Sequence, residues 1–402
     1  MGTRLDAEAI SFQASTTISS LYTGEGLLAL DFSNAFITID RTEMLQSIRD
    51  LAPAFSQYAF FCYGQPTPLL GDGFVIESAC GTQQGDVCGP LFFALSIHKL
   101  VTRLDMCGLS WHRWYLDDCI IKGDFAALAH AVSMLRSDGS KIGLQLNESK
   151  CKMFIPSLAP PPQHAVLAKI PVVSGGIILG VPIGGHTFVE SELTNIEQSF
   201  EGALNKLCCL GQPQVATAIL RSCLGSAKIV FLLRTLGFTD AVRLAHTCSL
   251  SIKTALSTIV GSPLSQSQWI LASLPSRMGG LGITDPVMLP AAAAVSSFVS
   301  LIGAENTTGI RCTRIPPNFV SAARRLSEQT GGKAALSLLT AISRSDMDPE
   351  QFIHCGLEPE FASQAFWSNL IHVQAAQTWE TNVSDRASRM RSLVSAPHAR
   401  IV

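Results

Sequence analysis

An α+β first part followed by an all-α remainder is the fold class this sequence predicts, and three observations predict it. Short apolar or alternating runs that read as strands are confined to the first 190 or so residues. They come in the order strand, helix, hairpin, helix, hairpin, helix, which suits an antiparallel sheet carrying helices on one face. From about Val189 the pattern changes to helical periodicity alone. The spacing therefore divides the chain into an α+β region, 1–188, a helical region, 189–270, and a helical C-terminal region, 271–402, with no role assigned to the last. At 402 residues, 47% hydrophobic and 15% charged, the chain has ample material for buried cores and is not a disordered polymer.

Gly26–Phe32 (GLLALDF) is almost continuously apolar, the mark of a buried central strand, and it ends in Asp31. A charge at the mouth of a core strand is either paired or functional. Asp40-Arg41-Thr42-Glu43 has the form of a capping box and opens a helix with Met44, Leu45, Ile48 and Leu51 on one face; Asp40 reads as a cap, not a ligand. Thr67–Ala79 reads as a hairpin turned at Gly71-Asp72-Gly73. Cys80–Pro90 (CGTQQGDVCGP) is a glycine-rich polar loop, and a helix follows from Pro90 to Leu104 with Leu91, Leu95, Leu100 and Leu104 as its stripe. Ser110–Leu116 and Cys119–Lys122 form a second hairpin with Asp117 and Asp118 at its tip. Asp124–Ile142 is a helix, Leu144–Leu146 and Lys150–Ile155 are short strands, and a last hairpin turns around Ser174-Gly175-Gly176. Three helices follow, near 190–210, 213–235 and 239–260, and then an alanine-rich helical segment entered through Ser276–Gly282.

Net charge is −2, from 29 Lys+Arg against 31 Asp+Glu, so the whole chain lacks the basic excess typical of nucleic-acid binders, although a local groove can still be basic. Twelve cysteines without a Cys-x-x-Cys pair suit neither a zinc finger nor a disulfide framework and read as reduced thiols. The N-terminus shows neither a signal peptide nor a myristoylation pattern, and no apolar run reads as a membrane span, the nearest being Ala165–Gly185. The expectation is an intracellular protein, nuclear or cytoplasmic, with no membrane partner.

Asp31, Asp117 and Asp118 carry the chemistry. Adjacent aspartates repel and raise each other's pKa, and a divalent cation relieves that. If the two hairpin strands neighbour the Asp31 strand, three hard oxygen donors meet at one sheet edge, a density that suits Mg²⁺. Two such ions about 3.5–4 Å apart form the clamp used for in-line phosphoryl transfer. Because side chains alternate along a strand, Asp117 is expected to be the principal partner of Asp31 and Asp118 the weaker ligand.

Four segments in order, Asp31-Phe32-Ser33-Asn34-Ala35-Phe36, Gln83-Gln84-Gly85-Asp86 with Gly89-Pro90-Leu91, Tyr115-Leu116-Asp117-Asp118, and Gly143–Asn147 with Lys150-Cys151, resemble the palm motifs of reverse transcriptases, most closely those of non-LTR retrotransposons. The resemblance covers about residues 20–190, and residues 190–260 resemble a thumb by position. It implies an RNA-directed DNA polymerase using two Mg²⁺ ions, with Mn²⁺ as a substitute, an RNA template, a DNA primer and dNTPs. Asp31 and Asp117 would hold the ions with Asp118 assisting. Phe36 would be a steric gate against the ribose 2′-hydroxyl, and Phe32, Gln84 and Gly85 would line the nucleotide and template pocket. Lys150 would follow the incoming phosphates, and Leu179-Gly180 is similar to a primer grip. The departures are Val87-Cys88 for Pro-Leu and Leu116 for alanine; neither removes a ligand. Only 30 residues precede Asp31, where the family has its fingers, and Arg4 is the sole cation before Arg41. Two other readings stay open: a catalytically inactive remnant of such an element, and a non-enzymatic nucleic-acid-binding protein on a palm fold.

Overall fold

The apolar run that ends at Asp31 takes a central place in the first of two units, Met1–Phe188 and Val189–Val402. A computed structural model describes residues 6–157, 159–303, 317–330 and 363–382. In chain order the first unit contains α1 (Asp6–Ile18), β1 (Glu25–Leu30), α2 (Ala35–Thr38), α3 (Arg41–Leu51), α4 (Ser56–Tyr63), β2 (Thr67–Gly71) and β3 (Phe74–Ser78). It continues through α5 (Gly89–Leu104), β4 (Trp111–Tyr115), β5 (Asp118–Asp124), α6 (Phe125–Lys141), β6 (Lys152–Phe154), β7 (Gly175–Ile178) and β8 (Val181–Gly184). One sheet has the order β4-β5-β1-β6, and every pairing in it is antiparallel.

Register sorts the sheet's two faces. Leu28 pairs with Ile121 and Met153, and Leu30 with Cys119, so these side chains share one face. That face joins Ile48 of α3, Phe92, Phe93 and Ile97 of α5, and Leu128 and Leu135 of α6 in a single core. Leu27, Ile120 and Phe154 point the other way and are equally buried. Here the structure departs from a sheet with helices on one face only: α1 packs against β1, β4 and β8, and Arg113 Nε donates to Gln13 Oε1 at 3.0 Å. Burial on both faces is why β1 reads as an unbroken apolar run. Its cover, α1, was not foreseen because it buries Ser11 and Thr17 beside Ala9, Ile10 and Ala14, so no apolar stripe marks it.

Three other expectations change. The last hairpin turns at Leu179-Gly180, not at Ser174–Gly176. Both turn residues have positive φ, 48° and 82°, as a type I′ connection requires. Gly175 is glycine for another reason: a Cβ there would sit 2.3 Å from the Phe188 ring. The strand expected at Leu144–Leu146 is a single bridge, Phe32 to Leu146. On α5, Leu91 is exposed, while Phe92 and Phe93 take the core positions.

The second unit is helical throughout its described residues. It holds α7 (His186–Cys208, entered just before the boundary), α8 (Pro213–Ile219), α9 (Val230–Thr235), α10 (Phe238–Val260), α11 (Gln266–Ser273), α12 (Pro290–Gly303), and further helices Pro317–Thr330 and Gln364–Asn382. The continuous helix expected over 213–235 is interrupted at Gly225, with φ −87° and ψ −143°; a Cβ at that glycine would meet Leu220 O at 2.5 Å. Among the described residues this same stretch, Pro213–Thr235, is the one long and apolar enough to cross a membrane by length and composition. Behind α10, Asp285 accepts from Ser249 Oγ at 2.6 Å, Trp269 Nε1 at 2.9 Å and the Val287 N–H at 3.1 Å, tying three segments together. Ten described cysteines are free thiols. Cys312, Cys355 and the expected helices over 304–316, 331–362 and 383–402 lie outside the described residues.

Candidate active site

Asp31 follows directly on β1. Its N–H points to Cys151 Sγ at 3.4 Å and its carbonyl accepts from the Asn147 N–H at 2.8 Å. The segment from Gly143 to Cys151 therefore clamps the main chain of Asp31. On the other side, the β1–β5 ladder ends at Leu30 with Cys119, so one further step sets Asp31 opposite Asp118. Tyr115 pairs with Asp118, which leaves only Leu116 and Asp117 to connect β4 to β5. Asp118 is thus the first residue of β5 and not part of the turn. Leu116 has φ +57°, at the first central position of a two-residue hairpin, where type II′ turns place glycine. Left-handed backbone costs an L-residue roughly 1–2 kcal/mol, so the flanking ladder has to hold this tip in place.

The three carboxylates form one electrostatic group. Asp118 has its pKa pushed up to about 6, first by partial desolvation, then by Asp117, then by Asp31. Asp118 nevertheless keeps an exposed surface at the sheet edge, so solvent screens part of that effect. The register places Asp118, rather than Asp117, across from Asp31; side-chain alternation alone could not locate the turn. Among the described residues no three His, Cys, Asp or Glu side chains are gathered closely enough to hold a metal as they stand. The donor chemistry still fits Mg²⁺, which takes one or two carboxylates and fills its octahedron with waters and substrate phosphates.

The remaining predicted residues divide. Phe32 is 5% exposed and its ring stacks on Trp114 at 5.9 Å between centroids. It belongs to the core face with Leu28 and Leu30, so its side chain is not a nucleotide contact. Phe36, on α2, is half-buried and stacked on Phe93 at 4.3 Å. Gln84 and Gly85 are exposed. They are the central residues of a turn closed by Asp86 N–H to Gln83 O at 3.2 Å, and Gly85 has φ +92°, the residue and sign a type II turn needs at that position. Lys150 is exposed and turns back on Asn147 through its N–H, at 3.0 Å. The bridge of Phe32 to Leu146 and the Asn147 N–H on the Asp31 carbonyl set Asn147, not Lys150, beside Asp31.

Sequence reasoning missed what holds the glutamine loop. Arg41 is 7% exposed and donates from Nε to Gly81 O at 2.9 Å and from Nη2 to Ser78 Oγ at 2.8 Å. Its guanidinium lies 5.1 Å from the centre of the Tyr63 ring. The Tyr63 hydroxyl donates to Asp86. On the near side of the loop, Thr82 N–H donates to Phe36 O at 2.8 Å, and a Cβ on Gly81 would meet Ile37 Cα at 2.3 Å. Asp86 was visible within the Gln-Gln-Gly-Asp motif; nothing in the pattern marked Arg41 or Tyr63, since an arginine at the first turn of a helix reads as surface.

Comparison with known proteins bears on this arrangement. Residues 5–184 match the family model of the reverse transcriptase (RNA-dependent DNA polymerase), and the α+β fold of the first unit is palm-like. No curated protein matches the chain. Among solved structures, telomerase from Candida albicans, in complex with a fragment of telomeric RNA, is 8% identical with a TM-score of 0.37. That alignment covers 87% of this chain and 55% of the telomerase chain, and is too slight to argue from.

Proposed function

We propose that the reverse-transcriptase-like domain at residues 5–184 is an RNA-directed DNA polymerase of non-LTR retrotransposon type, followed by a thumb-like helical region at 189–270. The observation that carries this reading is geometric: the β1–β5 and β4–β5 ladders end with Asp31, Asp117 and Asp118 at one end of the sheet, within the residues that match the family model. Carboxylates crowded in this way gain most from a divalent cation. Asp31 and Asp117 are the principal ligands. Asp118, whose carboxyl is pushed up to about 6 by burial and by its two neighbours, assists. Divalent ions bound here would supply Lewis-acid charge to the triphosphate and to the primer hydroxyl.

The chain's own residues do the positioning that dominates phosphoryl transfer. The clamp on the Asp31 backbone and the two-residue tip at Leu116-Asp117 fix where the carboxylates stand. Phe36, braced on Phe93, lies under the sugar and leaves no room for a 2′-hydroxyl, which selects deoxynucleotides. Gln84 and Gly85 face the nucleotide and the template base, and Lys150 meets the incoming phosphates. The partners are an RNA template, a DNA primer and dNTPs, and the site of action is intracellular.

Primer extension on an RNA template with Mg²⁺ and dNTPs tests the reading, with Asp117→Asn run beside the wild type. Extension by the wild type and its loss in the variant is the expected pair. Extension that survives Asp117→Asn would remove the metal assignment. One observation favours a second reading, a palm that binds nucleic acid without polymerising: the three carboxylates are not gathered into a ready-made metal cage. Under that reading an RNA–DNA hybrid binds, Mg²⁺ does not change its affinity, and neither protein extends a primer.

A further inference from the structure

We infer that Tyr63 and Asp86 form a latch that positions the Gln84–Gly85 turn against the incoming nucleotide and its template base; this rests on the polymerase reading of the same site. Tyr63 is the last residue of α4 and is 3% exposed. Its hydroxyl donates to one oxygen of Asp86 and accepts from the Gln83 N–H at 3.2 Å. The other Asp86 oxygen accepts from the Cys88 N–H at 2.9 Å, and the Asp86 carbonyl accepts from the Gly89 N–H at 3.1 Å. The buried phenol thus holds the loop Gln83–Gly89 directly at Gln83 and, through the Asp86 side chain, at Cys88. The centre of the loop is left alone: a Cβ on Gly85 would meet nothing within 4 Å, and Gln84 is exposed. A loop anchored at its ends and open at its apex is built to present that apex.

The latch is itself held. Arg41 lies over the Tyr63 ring and is itself fixed by bonds to Gly81 O and Ser78 Oγ, so a swing of the ring would give up its contact with the guanidinium. Burial, and then the bond to Asp86, push the Tyr63 hydroxyl up to about 12, so it stays a donor at any working pH. The residue before the loop is also joined to α2, Thr82 N–H donating to Phe36 O at 2.8 Å. Tyr63 touches no substrate in this scheme; it is a positioning residue.

Tyr63→Phe removes only the hydroxyl and leaves the ring under Arg41. Amide hydrogen exchange on the free protein should show the Gln83–Gly89 amides exchanging about tenfold faster, the scale of one lost hydrogen bond, with the sheet amides unchanged. In primer extension the variant should raise KM for dNTP about tenfold and leave kcat within about twofold, since the lost contact is to a positioning loop and not to the reacting atoms. Asp86→Asn, which keeps one acceptor, should fall between wild type and Asp86→Ala in both measurements. Unchanged loop exchange would overturn the latch. So would faster exchange with an unchanged KM in an active protein, because Tyr63 would then serve stability alone. A wild-type chain that extends no primer overturns the polymerase reading and the nucleotide role that rests on it; an active wild type with a wild-type-like Tyr63→Phe overturns the latch alone.

Discussion

The carboxylate corner and the glutamine loop are built by opposite means. Asp31, Asp117 and Asp118 are placed mainly by main chain: a ladder register that ends at Leu30 and Cys119, a two-residue turn, and bonds of the Asp31 backbone from the Asn147 N–H and to the Cys151 sulfur. Gln84 and Gly85 are placed by side chains drawn from distant parts of the sequence, with Arg41, Tyr63 and Asp86 sharing one buried network. The difference teaches where each site is vulnerable. A main-chain site tolerates changes of side chain around it and loses function only when a carboxylate is lost. A site held by a buried polar network loses its geometry when any member is truncated, because the others keep their cost of burial and lose their partner.

The largest expected effect breaks the first region while sparing its fold. Asp31→Asn or Asp117→Asn should lower extension by about a thousandfold or more, the scale on which positioned charge acts in phosphoryl transfer. The thermal midpoint should not fall, because each change removes a repulsive charge. A midpoint that dropped with the activity would show that these carboxylates hold structure instead. Next comes Arg41→Met, which leaves Gly81 O and Ser78 with no donor. It should cost about 2–4 kcal/mol in denaturant unfolding, several times the cost of a surface arginine. A loss below about 1 kcal/mol would mean the loop does not depend on this side chain.

Phe36→Ala gives up the stack on Phe93 and should cost roughly 1–3 kcal/mol. Its sharper readout is chemical: ribonucleotide incorporation should rise relative to deoxynucleotide. A variant that is destabilised but equally selective would leave Phe36 as a packing residue only. The smallest effect is on Asp118. Its raised pKa means the folded chain holds a proton that the unfolded chain has released between about pH 4 and pH 6, so this group makes stability fall as pH rises through that window. Asp118→Asn should remove that fall. The gain should be absent below about pH 4, full above about pH 6, and at most about 1 kcal/mol, since solvent screens an exposed carboxylate. Mg²⁺ should move the wild-type Asp118 titration downward; a titration indifferent to Mg²⁺ would place the ion elsewhere.

The carboxylates, the strand before them and the helix after the glutamine loop were legible because each writes itself locally. An apolar run ending in a charge, a paired aspartate between β-branched and aromatic residues, and a proline at a first turn are short-range signals. The division near residue 188 is read from a change of period. Phe32 was misassigned because the motif resemblance does not say on which side of the strand an aromatic falls; the register puts it among the core residues. The turn at Leu179-Gly180 was misplaced for a related reason. The glycines at 175 and 176 looked like the turn, yet Gly175 is required by the approach of Phe188, and the sequence carries no trace of that.

By itself, then, the order of residues determined the α+β class of the first unit, the helical class of the second unit's described residues and which three carboxylates are the candidates, because periodicity and charge are properties of neighbours in the chain. Tertiary structure alone decided that Asp118 and not Asp117 stands across from Asp31, that α1 closes the second face of the sheet, and that Arg41 and Tyr63 hold the loop bearing Gln84. Each of these depends on register or on burial between segments tens of residues apart. A cross-strand partner is fixed by where a ladder ends, and a buried polar group by which distant donor reaches it, so neither can be read from sequence spacing.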